Sequence, residues 1–163
     1  MKEQNQRGFR AAFFRANRPG LAGIYNYLVR TRGRGPYSHV ELIFSDGVAA
    51  SSSFSDGGVR FKQIAFEPGK WDVIDLPAEW EGAARAWFVK NEGMPYDTMG
   101  NVFLALGFFS ESNDKAFCSE AVAAALGIDQ AFRLEPNTLF PVLQRMVEVY
   151  NAARLTAILE CAA

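Results

Sequence analysis

The sequence predicts an α+β fold, an antiparallel sheet with helices packed at one side. Two observations carry that expectation. Short runs with two-residue alternation, separated by Ser-Asp-Gly turn signals, fill the first half, and helical periodicity takes over after Pro77. The length suits one domain spanning 1–163, long enough to bury a sizeable core, with no linker or repeat to divide it.

Taken in order, FRAAFFR (Phe9 to Arg15) is short and mostly apolar and is read as a first strand. RPGLAGIYNYLVRTRGRG follows, with Leu21, Ile24, Tyr25 and Leu28 at helical spacing and glycines closing the helix. HVELIF (His39 to Phe44) alternates as a strand, turns at Ser45-Asp46-Gly47 and returns through VAASSSF. After SDGG, VRFKQIAF (Val59 to Phe66) and WDVIDL (Trp71 to Leu76) read as two more strands. Trp80, Ala83, Ala84, Trp87 and Phe88 then share one helical face, and Gly93 with Pro95 ends that helix. Asp97 is placed to cap a buried helix carrying VFLALGFF, and ESND reads as a loop. FCSEAVAAALG is a short helix stopped by Gly127. The last helix begins near PNTLF, with Asn137 or Thr138 as cap, and runs past Tyr150.

Composition narrows the function classes. Eight of the seventeen Lys and Arg lie in the first 35 residues, against Glu3 alone of the eighteen acids. No base-reading motif accompanies this basic segment, so it reads as a solvated face that pairs with the acidic remainder, and no nucleic-acid partner is expected. MKEQNQRGFR has no apolar h-region, and VFLALGFF is too short to cross a bilayer, so the expected location is the cytoplasm. Cys118 and Cys161 are expected to be reduced. One histidine and two distant cysteines make no zinc-type ligand cluster, and no metal or other cofactor is expected.

The chemistry points to two residues. Cys118 stands in the first turn of its helix, where unpaired N–H groups and the helix dipole favour a thiolate. Ala121, Val122 and Ala125 share its face and let the helix lie close to a sheet. His39, the only histidine, opens a strand and can act as the base that a thiol nucleophile needs. A third group should orient the imidazole. With a tight turn at Asp46-Gly47, Ser52 shares the sheet face of His39 and Glu41; a register shifted by one residue offers Ser51 or Ser53 instead. Taken singly, a Cys on an Ala-rich face and a lone His also read as inert core residues.

YSHVELIFSDG followed downstream by FCSEAVAAALG resembles the permuted members of the NlpC/P60 papain-like superfamily, the YiiX/YaeF-like cysteine hydrolases. Further similarity lies around Ile24 to Arg30, GGVRFK, GMPYD and PNTL. The resemblance implies a permuted papain-like fold in which histidine precedes cysteine, with Cys118 as nucleophile and His39 as base. It also implies a carboxylate on the strand after the histidine. Here that strand reads VAASSSF, so serine stands in the acid's place, and Glu41 is the substitute if it points inward. Tyr37 is assigned a supporting role at the oxyanion site or substrate wall. The expected activity is peptidase or amidase hydrolysis of a peptide, isopeptide or acyl substrate. The alternative is an inactive papain-like module with a structural or binding role, for instance in a phage particle, since small proteins of this look are often met in bacteriophages.

Overall fold

The computed structural model describes residues 8–15, 35–96 and 117–161. The expected helix around Ile24, the Asp97 cap, the VFLALGFF helix and the ESND loop lie outside these residues. Within them the chain is α+β: five antiparallel strands and three α-helices. The strands are β1 (Arg10–Phe14), β2 (His39–Ile43), β3 (Ala49–Ser53), β4 (Gly58–Lys62) and β5 (Trp71–Asp75). The helices are α1 (Glu81–Lys90), α2 (Cys118–Ala125) and α3 (Pro136–Cys161). The sheet order is β4-β3-β2-β1-β5.

Local chemistry sets the hairpins. At the β2–β3 turn Gly47 takes a φ of 86° and donates to the Phe44 carbonyl, while Asp46 Oδ1 accepts from the Val48 N–H at 3.0 Å. The resulting register pairs Leu42 with Ala50 and Ile43 with Ala49. Between β3 and β4, a 3-10 turn at Phe54–Asp56 ends in left-handed Gly57, and Ser51 pairs with Arg60 and Ser52 with Val59. β4 stops at Lys62, short of the expected Phe66. β1 inserts between β2 and β5, pairing Phe14 with His39 on one side and with Trp71 on the other.

One face of the sheet supplies Ala11, Phe13, Val40, Leu42, Ala50 and Val59 to the core. Ala84 and Phe88 of α1, Ala121, Val122 and Ala125 of α2, and Leu139 and Leu143 of α3 complete it. Ala121, Val122 and Ala125 are buried and let α2 rest on β2 and β3, as the sequence predicts. The opposite face of the central strands is buried as well, at Ala12, Glu41, Ala49 and Ser51. No described helix is long and apolar enough to cross a membrane.

α3 starts at Pro136, with the Thr138 and Leu139 N–H groups both bonded to the Glu135 carbonyl. Pro suits a first helical position because it lacks the N–H that would go unpaired there. Asn137 therefore lies inside the helix and does not cap it. Its side chain is committed to Tyr37, as described below.

Gly58 stitches GMPYD onto the edge of β4. Its φ is 150°, Pro95 forms a bridge with it, and a Cβ at this position would overlap the Met94 carbonyl oxygen. The flanking bonds run from Val59 N to Met94 O at 2.9 Å and from Tyr96 N to Gly57 O at 3.2 Å. Gly58→Ala should lower the unfolding free energy by about 2 kcal/mol, through backbone strain and the displaced Met94 carbonyl. Urea denaturation with an unchanged m-value is the check.

Candidate active site

The first residue of α2 and the first residue of β2 meet. The Cys118 side chain stands close enough to the His39 imidazole to be coupled to it electrostatically. Cys118 is 5% exposed and the His39 side chain 12% exposed, so water screens their contact poorly. His39 Nε2 lies 2.7 Å from Glu41 Oε1. With Nε2 committed to that carboxylate, Nδ1 is the nitrogen left to face the sulfur.

Glu41, the substitute the sequence offers if it points inward, is the carboxylate that meets the imidazole. It stands on the same strand as the histidine, two residues along and so on the same side. Its side chain is 1% exposed. Two more charge-assisted bonds hold it, from Arg60 Nη1 to Oε2 at 2.7 Å and from Arg60 Nη2 to Oε1 at 2.6 Å. Arg60 Nε bonds Asp56 Oδ2 at 2.9 Å, and Lys62 Nζ bonds Asp56 Oδ1 at 2.7 Å. A chain of contacts thus runs from the thiol through imidazole, carboxylate and guanidinium to the Asp56 carboxylate.

The register corrects the expectation for the serines. Because Leu42 pairs with Ala50, strand alternation puts Ser51 on the side of Glu41 and Ser52 on the opposite side, beside Val59. Ser52 is therefore not the residue that orients His39; Glu41 is. Ser51 lies between Glu41 and Arg60, and its hydroxyl donates to the Val40 carbonyl at 2.7 Å. Its small side chain leaves the guanidinium room to reach across β3, a span of about 10 Å between the outer two strands. Ser53 Oγ lies 3.0 Å from Ser55 Oγ.

Of the two roles expected of Tyr37, its hydroxyl is not free for that of an oxyanion donor. Its hydroxyl donates to Asp72 Oδ2 at 2.9 Å, and its ring packs on Phe13 and Phe140. Burial, followed by the hydrogen bond and charge of Asp72, pushes its pKa up to about 12, against the opposing charge of Arg15. The phenol is an anchor, with no hydroxyl turned to an oxyanion. Asn137 grips the same residue by its backbone, accepting from the Tyr37 N–H at 2.8 Å and donating to the Tyr37 carbonyl at 2.9 Å. A Cβ on Gly35 would overlap the Asn137 side chain, so the chain entering β2 depends on that glycine. Sequence reasoning gave Arg60 no role and Asn137 only that of a cap, although both lie in the quoted GGVRFK and PNTL segments.

At the start of α2 the first helical bond runs from Ala121 N–H to the Phe117 carbonyl, at 2.9 Å. The Cys118, Ser119 and Glu120 N–H groups thus stand outside the helical ladder. The Glu120 carboxylate turns back to the Phe117 N–H at 3.3 Å. Among the described residues no three His, Cys, Asp or Glu side chains are grouped to hold a metal ion.

The electrostatics favour an imidazolium. Burial works against the charged ring, but the charges and hydrogen bonds of Cys118 and Glu41 outweigh it and push the His39 pKa up to about 9. Burial likewise works against the Glu41 anion, and Arg60 and His39 reverse that and hold its pKa below the usual carboxylate range. A raised histidine pKa stabilises the fold in full below the unfolded value of about 6.5, and the contribution is lost as pH rises through about 9.

As the only histidine, His39 gives a single imidazole Cε1–H signal, so its titration is read without assignment. The midpoint should fall near pH 9, and Glu41→Gln should lower it. A midpoint at or below the ordinary 6.5 would refute the coupled arrangement. Asn137→Ala removes both bonds to Tyr37 and should destabilise the fold by about 2 kcal/mol in urea denaturation.

No protein-family model and no curated protein matches the chain, so the site is read from its own geometry.

Proposed function

We propose that the protein is a cysteine hydrolase of the peptidase or amidase type, built as one permuted papain-like domain, with Cys118 as nucleophile and His39 as base. The observation that carries this reading is the buried, charge-coupled juxtaposition of the Cys118 side chain with an imidazole whose Nε2 is held by Glu41. That is the relation of nucleophile, base and orienting group required for covalent acyl transfer.

The steps follow from this placement. His39 takes the thiol proton, and Sγ adds to the substrate carbonyl. The oxyanion is received by N–H groups of the first turn of α2, where the Cys118 N–H is the natural donor. As the tetrahedral intermediate collapses, the C–N bond breaks and the imidazolium gives its proton to the departing amine. Water, deprotonated by His39, then adds to the thioester, the S–C bond breaks and the free acid leaves with the thiol restored. Glu41 remains ionised throughout and fixes the ring. The substrate class is a peptide, isopeptide or acyl group.

The exchange of serine for acid on VAASSSF is the argument for an inactive structural module. It loses its weight here, because Glu41 supplies the carboxylate from the histidine's own strand.

Alkylation by iodoacetamide, in a Cys161→Ser background, tests the reading. Cys118 should react at pH 6.5 at least about tenfold faster than a free thiol, which is only about one per cent ionised there. His39→Ala should abolish that advantage with the fold retained. Labelling that tracks an ordinary thiol, or that needs unfolding, would overturn the proposal.

A further inference from the structure

We propose that Arg60 is a positioning residue for the Cys118–His39 pair: its guanidinium fixes Glu41 and supplies the second positive charge that lets two buried anions coexist. This inference rests on the hydrolase reading above and deepens it.

The geometry is a fork. Two Arg60 nitrogens meet the two Glu41 oxygens at 2.6 and 2.7 Å, and Oε1 is shared with His39 Nε2 at 2.7 Å. Asp56 holds the third guanidinium nitrogen, so Arg60 cannot slide along the carboxylate. Such a bidentate grip fixes the plane of the carboxylate, and with it the direction from which Oε1 meets the imidazole.

The charges then balance. In the reactive form the thiolate and the Glu41 carboxylate are negative, and the imidazolium and the Arg60 guanidinium are positive. Asp56 is matched by Lys62 on the exposed side of Arg60. On β5, Asp72 is paired with Arg15 and accepts the neutral Tyr37 hydroxyl. Glu120, two residues along α2 from Cys118, accepts from the Phe117 N–H. Without Arg60 the buried set carries a net negative charge. In a medium that screens poorly, the cheapest relief is to protonate the thiolate or the carboxylate. Either outcome removes reactive dyad.

A merely structural arginine makes a different prediction, and the pH profile separates the two: losing the charge balance moves the profile to higher pH, whereas a general loosening of the site lowers the rate at every pH. In the Cys161→Ser background, Arg60→Gln should slow iodoacetamide alkylation at pH 6.5 by about tenfold, the effect of one unit in the ionisation of the dyad. The deficit should shrink as pH rises, so that variant and parent converge at alkaline pH. Arg60→Lys, which keeps the charge and loses the fork, should fall between Arg60→Gln and the parent.

An Arg60→Gln protein as reactive as the parent at pH 6.5 would overturn the inference, as would one slowed equally at every pH. If Arg60→Gln fails to fold, Arg60→Lys decides: a rate lowered at pH 6.5 and restored at alkaline pH supports the inference, and a profile unchanged from the parent's refutes it. The failures are distinguishable. A slow parent thiol defeats the hydrolase reading and this inference together, whereas a fast parent with an indifferent Arg60 defeats this inference alone.

Discussion

The buried carboxylate of Glu41 is the constraint around which this sheet is arranged. An ionised carboxylate taken from water is costly unless its oxygens are filled, and here they receive one imidazole and both arms of one guanidinium. Those partners come from different strands, so the bond pattern fixes two registers at once. Arg60 must oppose Ser51, and Ser51 must fall on the side of Glu41. A slip of one residue in either hairpin would send the guanidinium to the apolar face of the sheet. The turn at Gly47 and the left-handed pair Gly57 and Gly58 are the local devices that prevent it.

Two further elements carry that alignment to the thiol. The Asn137 side chain holds the Tyr37 backbone, while the Tyr37 ring and hydroxyl bind Phe140 and Asp72. The residue two positions before His39 is thereby tied both to α3 and to β5. From the other side, Ala121, Val122 and Ala125 let α2 lie against β2 and β3, which brings its first residue to the start of β2. Small residues serve opposite faces of the sheet in the same way: alanines admit a helix on one side, and Ser51 admits an arginine side chain on the other.

Much of this was legible in the sequence because it is local. Strand alternation, Ser-Asp-Gly turns and the change of period after Pro77 place the elements, and Cys118 at a helix start with His39 at a strand start mark the pair. Glu41 stood among the candidates for the orienting group, but the choice between it and the serines was not legible, because the serines' placement depends on cross-strand register. VAASSSF could be aligned in either of two phases, and the one adopted makes Ser51 a spacer and Ser52 a neighbour of Val59. Arg60 and Asn137 reach residues 19 and 100 positions away, so no spacing rule in the chain announces their contacts. Asn137 read as a helix cap because Asn next to an apolar run has that meaning locally. Its tertiary bonds to Tyr37 override it.

The energetics also bear on the choice between a reactive site and a scaffold. Apolar side chains of similar volume can replace a buried ion pair with little loss, and often with a gain in stability. A domain that only builds or binds therefore has no stability reason to bury Glu41 and pair it with His39 and Arg60 in the core of a small sheet. The arrangement is worth its desolvation where a charge must be held ready in a poorly hydrated place, as the charged pair of a thiol nucleophile and its base must be. His39 has the properties such a pair requires: its ring is buried yet drawn to the protonated form up to about pH 9, and its orientation is fixed from one side while the sulfur stands at the other. This combination weighs toward chemistry at Cys118.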